Sequence, residues 1–138
     1  MLSPCPDISG DPQGNFVIVE LCDEISIDTI VLANYEFFSR MFKRFRVSAS
    51  QTLKSGSSSD SENWYQLGIF RARNLRGVQV FNTSLPQTFA APSRFFRYLR
   101  IDFLEYYGNE HYCPLSLLRV YGLTQMDDYR REEEEERR

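Results

Sequence analysis

Residues whose types could support catalysis lie close together near the end of the chain, from Tyr106 to Cys113. This segment holds the single histidine of the sequence, His111, between Glu110 and Cys113. A thiol nucleophile needs a general base and an orienting carboxylate, and all three residue types are present. Adjacency in sequence does not assemble a triad, and the sequence has no glycine-rich phosphate loop or paired-carboxylate motif. We therefore predict that the protein is not an enzyme.

The same segment is better suited to binding than to catalysis. Tyrosine side chains combine a large apolar ring with a hydroxyl, and asparagine and histidine add hydrogen-bond donors and acceptors. We predict that the segment binds a partner, through the candidate residues Tyr106, Tyr107, Asn109, His111 and Tyr112. In the alternative interpretation, the tyrosines only fill the rim of the fold and their hydroxyls reach water.

A second candidate surface is the apolar cluster formed by Phe37, Phe38, Met41 and Phe42. Beside the basic residues at positions 40, 43 and 44, exposed side chains of this kind can contact a membrane or an apolar partner. In the alternative interpretation, Phe37 and Phe42 fold back and close the end of the fold. We predict that residues 34–44 and 106–116 form one partner-binding rim.

The elements that must position these surfaces have the patterns of β-strands. Short runs rich in β-branched and aromatic residues occur at 16–21, 25–33, 45–50, 64–70, 78–81, 98–103 and 115–121. In 98–103, Leu99, Ile101 and Phe103 alternate with polar residues, which predicts one core face. The run 16–21 is nearly continuous apolar, as in a strand covered on both sides. We predict an all-β fold, a jelly-roll β-sandwich.

The charged residues divide the chain after residue 126. Residues 127–138 hold four of the 16 basic and seven of the 19 acidic residues, which leaves 12 of each in residues 1–126. A formally neutral body gives no general attraction for phosphate backbones, so nucleic acid is not an expected partner. We predict one domain over residues 1–126, followed by a charged linker or the start of a helix over 127–138.

Three cysteines limit the disulfides that can form. Cys5 and Cys22 flank a turn-rich segment at residues 11–15, and an antiparallel hairpin around it would bring the two thiols opposite each other. We predict a disulfide between Cys5 and Cys22; the alternatives are a pair between Cys5 and Cys113 and three reduced cysteines. No Cys-x-x-Cys spacing occurs, so we expect neither a metal ion nor a cofactor. Asn82-Thr-Ser84 is a glycosylation sequon.

The order of the predicted strands resembles that of discoidin-like, galactose-binding-like sandwiches. More specific are the closing block from Tyr107 to Gly122 and the blocks Val19-Glu-Leu-Cys22 and Ala33-Asn-Tyr-Glu-Phe-Phe38. These blocks resemble the SUN-like domain of the SUN domain-containing ossification factor and SUN-like protein 1 family, a group of endoplasmic reticulum membrane proteins. The resemblance extends from Ser3 to Asp128.

The resemblance implies a non-catalytic, lumenal protein-interaction domain of an endoplasmic reticulum membrane protein. Such a domain would assist the folding or stability of membrane or lumenal client proteins, so the expected partner is a protein or a client peptide. Segments outside this chain would supply the membrane tether, and the nuclear envelope is a second compartment that the resemblance implies. Nuclear-envelope SUN domains grip a partner peptide with two tyrosines of the matching loop. Tyr112 matches one of them, whereas this sequence has a serine, Ser116, at the position of the other. The resemblance therefore adds Ser116 to the candidate partner-binding residues.

A glycan- or lipid-headgroup-binding sandwich is the alternative function. Folds of this kind bind sugars with exposed aromatic rings beside Arg, Asn or Asp side chains. Tyr107, Asn109 and Arg119 supply those residue types.

Overall fold

The computed structural model describes residues 15–52, 64–83, 95–110, 112–124, 126 and 130. These ranges contain six strands: β1 (Asn15–Asn34), β2 (Phe42–Ser50), β3 (Tyr65–Arg71), β4 (Gly77–Asn82), β5 (Phe96–Tyr106) and β6 (Leu117–Thr124). The strand pairs are antiparallel. Among the described residues, no helix has both the length and the apolar composition needed to cross a bilayer. The prediction of an all-β fold is confirmed.

The long strand β1 takes part in both layers of the fold. Its residues 15–20 pair with β5, whereas residues 25–33 pair with β6 and residues 29–34 pair with β4. Asn15 bonds to the hydroxyl of Tyr106, and the carbonyl of Ala33 accepts a bond from the amide of Ser116, so both ends of β1 lie at one end of the fold. The strand therefore reverses direction between residues 20 and 25, where its register with β5 shifts.

All six strands belong to one sheet, which folds over along β1 into two layers. The first layer contains β3, β2, β5 and the first half of β1, and the second contains β4 and β6 on either side of the second half of β1. Leu99, Ile101 and Phe103 of β5 are buried between the layers, which confirms the predicted alternation. The prediction for run 16–21 is wrong, because Phe16 and Ile18 are exposed. Among the described strands this half of β1 pairs only with β5, and its outer face is open to solvent.

Aromatic side chains fill the centre of the core. Phe45 of β2 is fully buried, and its ring centroid lies 4.8 Å from that of Phe81 on the other layer, in edge-to-face geometry. Phe70 of β3 stacks on the ring of Phe45 at 5.7 Å, and Phe42 meets the ring of Phe45 edge-on at 6.1 Å. Such pairs stabilise a core beyond the burial of their area, so Phe45 holds the two layers together.

Three connections lie at the same end of the fold: the β1–β2 loop (35–41), the β3–β4 loop (72–76) and the β5–β6 loop (107–116). Strand pairing brings Asn34 opposite Gly77 and Phe42 opposite Tyr106, next to these connections. We call the three connections together the loop end. The two predicted surfaces, residues 34–44 and 106–116, both lie there.

We expect Phe45→Ala to lower the free energy of unfolding by about 4 kcal/mol, because it leaves a cavity between the layers. The matched control is Phe37→Ala, which removes an exposed ring and should change stability by no more than about 0.5 kcal/mol. Urea denaturation monitored by circular dichroism measures both. Equal losses in the two variants would contradict the central role of Phe45.

Candidate functional site

The β1–β2 loop is held by the side chain of one buried residue, Asn34. Its Oδ1 accepts a hydrogen bond from the amide of Glu36 at 2.9 Å. Its Nδ2 donates to Ser39 Oγ at 3.2 Å and to the carbonyl of Arg40 at 3.0 Å. Because the Asn34 side chain is fully buried, these bonds are shielded from competition by water. The carboxamide therefore fixes both sides of the turn at residues 36–40.

Ser39 joins this loop to the β3–β4 loop. Its hydroxyl donates to the carbonyl of Glu36 at 2.7 Å. Arg76 donates through Nη2 to the carbonyl of Ser39 at 2.6 Å and through Nη1 to the hydroxyl at 3.3 Å. The β3–β4 loop has its own carboxamide brace, since Gln79 bonds both the amide and the carbonyl of Arg73. The two loops thus form one connected unit.

Arg40 joins the same turn to the β5–β6 loop. Its amide donates to the carbonyl of Tyr112 at 2.8 Å, and its Nε donates to the carbonyl of Glu110 at 2.7 Å. The amide of Tyr35 donates to Ser116 Oγ at 3.0 Å, which adds a second connection. All three loops are therefore hydrogen-bonded to one another, and they present one continuous surface.

Two phenylalanines project from this surface. Phe37 is 78% exposed and Phe38 is 91% exposed. Phe38 has a φ of 60°, in the left-handed region that glycine and asparagine adopt more readily than phenylalanine. Such a conformation costs on the order of 1–3 kcal/mol and persists only where surrounding contacts impose it. The hydrogen bonds of Asn34 and Ser39 supply those contacts.

Two members of the predicted apolar cluster are not available to a partner. Met41 and Phe42 are buried, so their assignment as partner-binding residues is wrong. The chain enters β2 directly after the turn, and the ring of Phe42 packs 5.8 Å from that of Phe103 in the core. The alternative of a folded-back ring is thus correct for Phe42, whereas Phe37 points to solvent.

The predicted residues of the β5–β6 loop differ in their availability. Tyr112 is 44% exposed and Asn109 is exposed, so both can contact a partner. Tyr107 is half-buried; its hydroxyl donates to the carbonyl of Ala72 at 2.8 Å, and Lys43 lies over its ring. His111 lies outside the described residues.

Tyr106 and Ser116 have internal partners. Asn15 donates to the hydroxyl of Tyr106 at 3.2 Å, and Ser116 accepts the bond from Tyr35 described above. Burial raises the pKa of Tyr106 to about 12, while the hydrogen bond from Asn15 acts in the opposite direction. The polar groups of both residues are therefore used in bonds within the domain, and these bonds support the loop end.

A cavity of about 50 Å³ lies beside the β5–β6 loop. Its lining residues are Asn15, Phe16, Val17, Phe42, Phe103, Tyr106, Cys113, Pro114 and Leu115. Small-molecule sites typically measure roughly 300–1,000 Å³, so this cavity has room for a few water molecules or one small side chain. Among the described residues, no group of three or more His, Cys, Asp or Glu side chains could hold a metal ion.

The predicted disulfide between Cys5 and Cys22 is wrong, because Cys22 is an exposed free thiol. It lies where β1 reverses direction, in a strand that pairs with β5, and not in the hairpin that the prediction assumed. Cys113 is disulfide-bonded, and Cys5 is the remaining cysteine of the sequence. Cys5 itself lies outside the described residues. Asn82 is exposed at the end of β4, and its glycosylation stays a prediction.

The sequence marks a turn at Arg76-Gly77, but the part that the β3–β4 loop plays in the binding surface was not predicted. Leu75 is 55% exposed there, and Arg76 is bonded to Ser39. The signal was present, since Arg71-Ala-Arg-Asn-Leu-Arg76 is a basic segment around one large apolar residue. The structural role of Asn34 was also missed, because a buried polar residue at the end of an apolar run is recognised only once its partners are known.

We expect Asn34→Ala to lower the free energy of unfolding by about 3 kcal/mol, because it removes three hydrogen bonds and leaves buried partners unsatisfied. Amide exchange at Glu36 should accelerate as well, since the loop loses its brace. Asn109→Ala is the matched control at an exposed position and should cost no more than about 0.5 kcal/mol. Unchanged exchange at Glu36 would contradict this account of the loop.

Tyr106 makes the stability of the fold fall at alkaline pH. The pKa of an unfolded tyrosine is about 10, and burial raises the folded value to about 12. Below pH 10 both states keep the proton; between pH 10 and 12 only the unfolded state releases it, so unfolding becomes easier. Between about pH 9 and about pH 11.5, the wild type should lose about 2 kcal/mol more than Tyr106→Phe in urea denaturation. Parallel losses in the two proteins would refute the assignment.

Comparison with known proteins identifies the family. A family model described as Sad1 / UNC-like C-terminal matches residues 1–124. The chain is 43% identical to slp1 of Schizosaccharomyces pombe, with 94% of this chain and 17% of slp1 covered. For SLP1 of Saccharomyces cerevisiae the identity is 42%, with 94% and 20% covered. For the human SUN domain-containing ossification factor it is 33%, with 94% and 9% covered. The chain thus spans a fifth or less of the length of these relatives.

The fold is also similar to that of a solved structure, the C-terminal domain of a chitobiase from Bacteroides fragilis. The TM-score is 0.56 at 22% sequence identity, and the match covers 83% of this chain and 66% of the other. At this identity the likeness concerns the fold alone, a galactose-binding-like arrangement of strands. Taken with the family match over residues 1–124, it leads to one conclusion: the chain belongs to the Sad1 / UNC-like C-terminal family and is a SUN domain.

Proposed function

We propose that this SUN domain is a non-catalytic protein-interaction module in the lumen of the endoplasmic reticulum. It would belong to a membrane protein and assist the folding or stability of membrane or lumenal client proteins. The observation that carries the proposal is the loop end, whose three loops are hydrogen-bonded into one surface with Tyr112 and Asn109 exposed. A pre-formed surface of this kind binds with little loss of conformational entropy.

The cysteines support a lumenal location. Cys113 is disulfide-bonded, and disulfides persist in oxidising compartments such as this lumen. The sequon at Asn82 lies at an exposed strand end, which is compatible with a lumenal glycoprotein. The resemblance to the ossification-factor family implies the same compartment, and the 33% identity to the human member supports that resemblance.

A binding role fits the contents of the loop end better than catalysis does. The cavity beside the β5–β6 loop measures about 50 Å³, which is small for a substrate.

Glycan binding at Tyr107, the alternative function that the sequence suggested, is less well supported than protein binding. The hydroxyl of Tyr107 is already bonded to Ala72, and Lys43 covers its ring. An exposed rim is better suited to an extended segment of a protein partner.

Two tyrosines of similar exposure provide the test. Tyr112 lies at the loop end and is 44% exposed, whereas Tyr121 lies on β6, where it pairs with Thr29, and is 49% exposed. A photo-crosslinking amino acid placed at either position, in the intact protein in its own membranes, should give discrete protein adducts from position 112 and none from position 121. Identical adducts from both positions, or none from 112, would refute the proposal.

A substitution at the same positions measures the energetic effect. We expect Tyr112→Ala to reduce co-purification of the crosslinked partner by about tenfold, as for a buried aromatic contact in an interface. Tyr121→Ala should leave co-purification unchanged. Quantitative mass spectrometry of the purified complex measures both.

A further inference from the structure

We propose that the loop end also carries a membrane-contacting tip, in which Phe37, Phe38 and Leu75 rest in the interface of a lipid bilayer. Phe37 and Phe38 come from the β1–β2 loop and Leu75 from the β3–β4 loop. Arg76 joins the two loops through Ser39, so the three apolar side chains belong to one unit. This inference goes beyond protein binding, and it stands whether or not Tyr112 holds a partner.

All three side chains of the tip are exposed to solvent. Phe37 is 78%, Phe38 91% and Leu75 55% exposed, although each is large and apolar. Single exposed apolar residues are common on protein surfaces, but adjacent ones on linked loops mark an interaction site. Aromatic rings also suit the region between lipid headgroups and acyl chains. These side chains therefore have the chemistry of a membrane interface contact.

Hydrogen bonds hold the tip in its outward shape. Phe38 keeps a φ of 60°, which an unconstrained loop would relax by moving out of the left-handed region. The carboxamide of Asn34 spans the turn, and that of Gln79 bonds the carbonyls of Arg73 and Leu75 on the neighbouring loop. A tip braced in this way inserts without first having to reorganise.

The loops that carry the tip are rich in basic residues. Residues 35–44, 71–76 and 107–116 hold six of the 16 basic residues of the chain but only two of its 19 acidic residues, Glu36 and Glu110. The side chains of Arg40 and Arg76 donate to carbonyl and hydroxyl oxygens, so these bonds do not neutralise their charge. Of the six, Arg44 forms an ion pair with Glu105. A basic surface around projecting apolar side chains is complementary to anionic headgroups.

The shape of the site distinguishes a bilayer from a protein groove as the occupant. Phe37 and Phe38 stand out from the surface with most of each ring exposed, so a protein partner would have to supply a matching pocket. A bilayer accepts projecting side chains without such complementarity. Because the amide of Arg40 is bonded to the carbonyl of Tyr112, a docked tip would also hold the partner-binding rim beside the membrane.

Vesicle co-sedimentation of the full chain tests the tip. We expect binding to vesicles of phosphatidylcholine with phosphatidylserine, weaker binding to phosphatidylcholine alone, and weakening by salt as exposed charges are screened. The double variant Phe37→Ser with Phe38→Asn should lose about tenfold in bound fraction. Asparagine tolerates the left-handed conformation, so this variant should keep the thermal unfolding midpoint of the wild type.

Two further variants sharpen the result. Val80→Ser removes an exposed apolar side chain, 66% exposed on β4, and should leave vesicle binding unchanged. Arg73→Gln should weaken binding to anionic vesicles by a fewfold and leave binding to phosphatidylcholine unaltered. The proposal is overturned if the wild type binds neither vesicle, or if the double variant binds as well as the wild type. It is also overturned if the double variant loses only the protein adducts of position 112, since the tip would then belong to a protein interface.

Discussion

The loop end of this domain depends on the side chain of Asn34, which forms three hydrogen bonds from a fully buried position. An unpaired amide group in the interior would cost free energy, so each of these bonds is costly to break. The turn that they close brings Ser39 to Arg76 and Arg40 to the β5–β6 loop. Without the carboxamide, the turn around Phe38 would keep only the bonds made by Ser39, Arg40 and Arg76, and its left-handed conformation would be less well held. A polar residue in the core is therefore what exposes apolar residues at the surface.

Strand patterns were the most predictable part of the molecule. Leu99, Ile101 and Phe103 alternate with polar neighbours over a whole strand, and the period of two leaves no second interpretation. The segment 37–42 was not predictable in the same way, because four large apolar residues surround a turn whose position the sequence does not mark. The structure exposes Phe37 and buries Phe42 because the chain reverses between them and then enters β2. The exposure of each ring depends on where the chain reverses, and the position of that reversal cannot be read from the composition of the segment.

The contacts that define the site connect residues far apart in the chain. Arg40 reaches Glu110, Ser39 reaches Arg76, and Tyr107 reaches Ala72. Local patterns cannot reveal such pairs. The wrong prediction for Cys22 has the same origin, because a hairpin was expected from nearby residues alone. In the structure, β1 pairs along its length with strands from the other half of the sequence. The likeness to known SUN domains predicted the fold correctly because it carries this long-range information, but the braces at the loop end had to be observed.

The shared strand β1 has a mechanical consequence for the whole fold. Because its two halves belong to opposite layers, a pulling load applied to one layer is transmitted directly to the other through the covalent backbone. The layers cannot slide apart independently, so the domain should yield in one step and not peel open sheet by sheet. A pulling force applied at the loop end would meet a stiff body, and the backbone of β1 would carry that force to the opposite end of the fold.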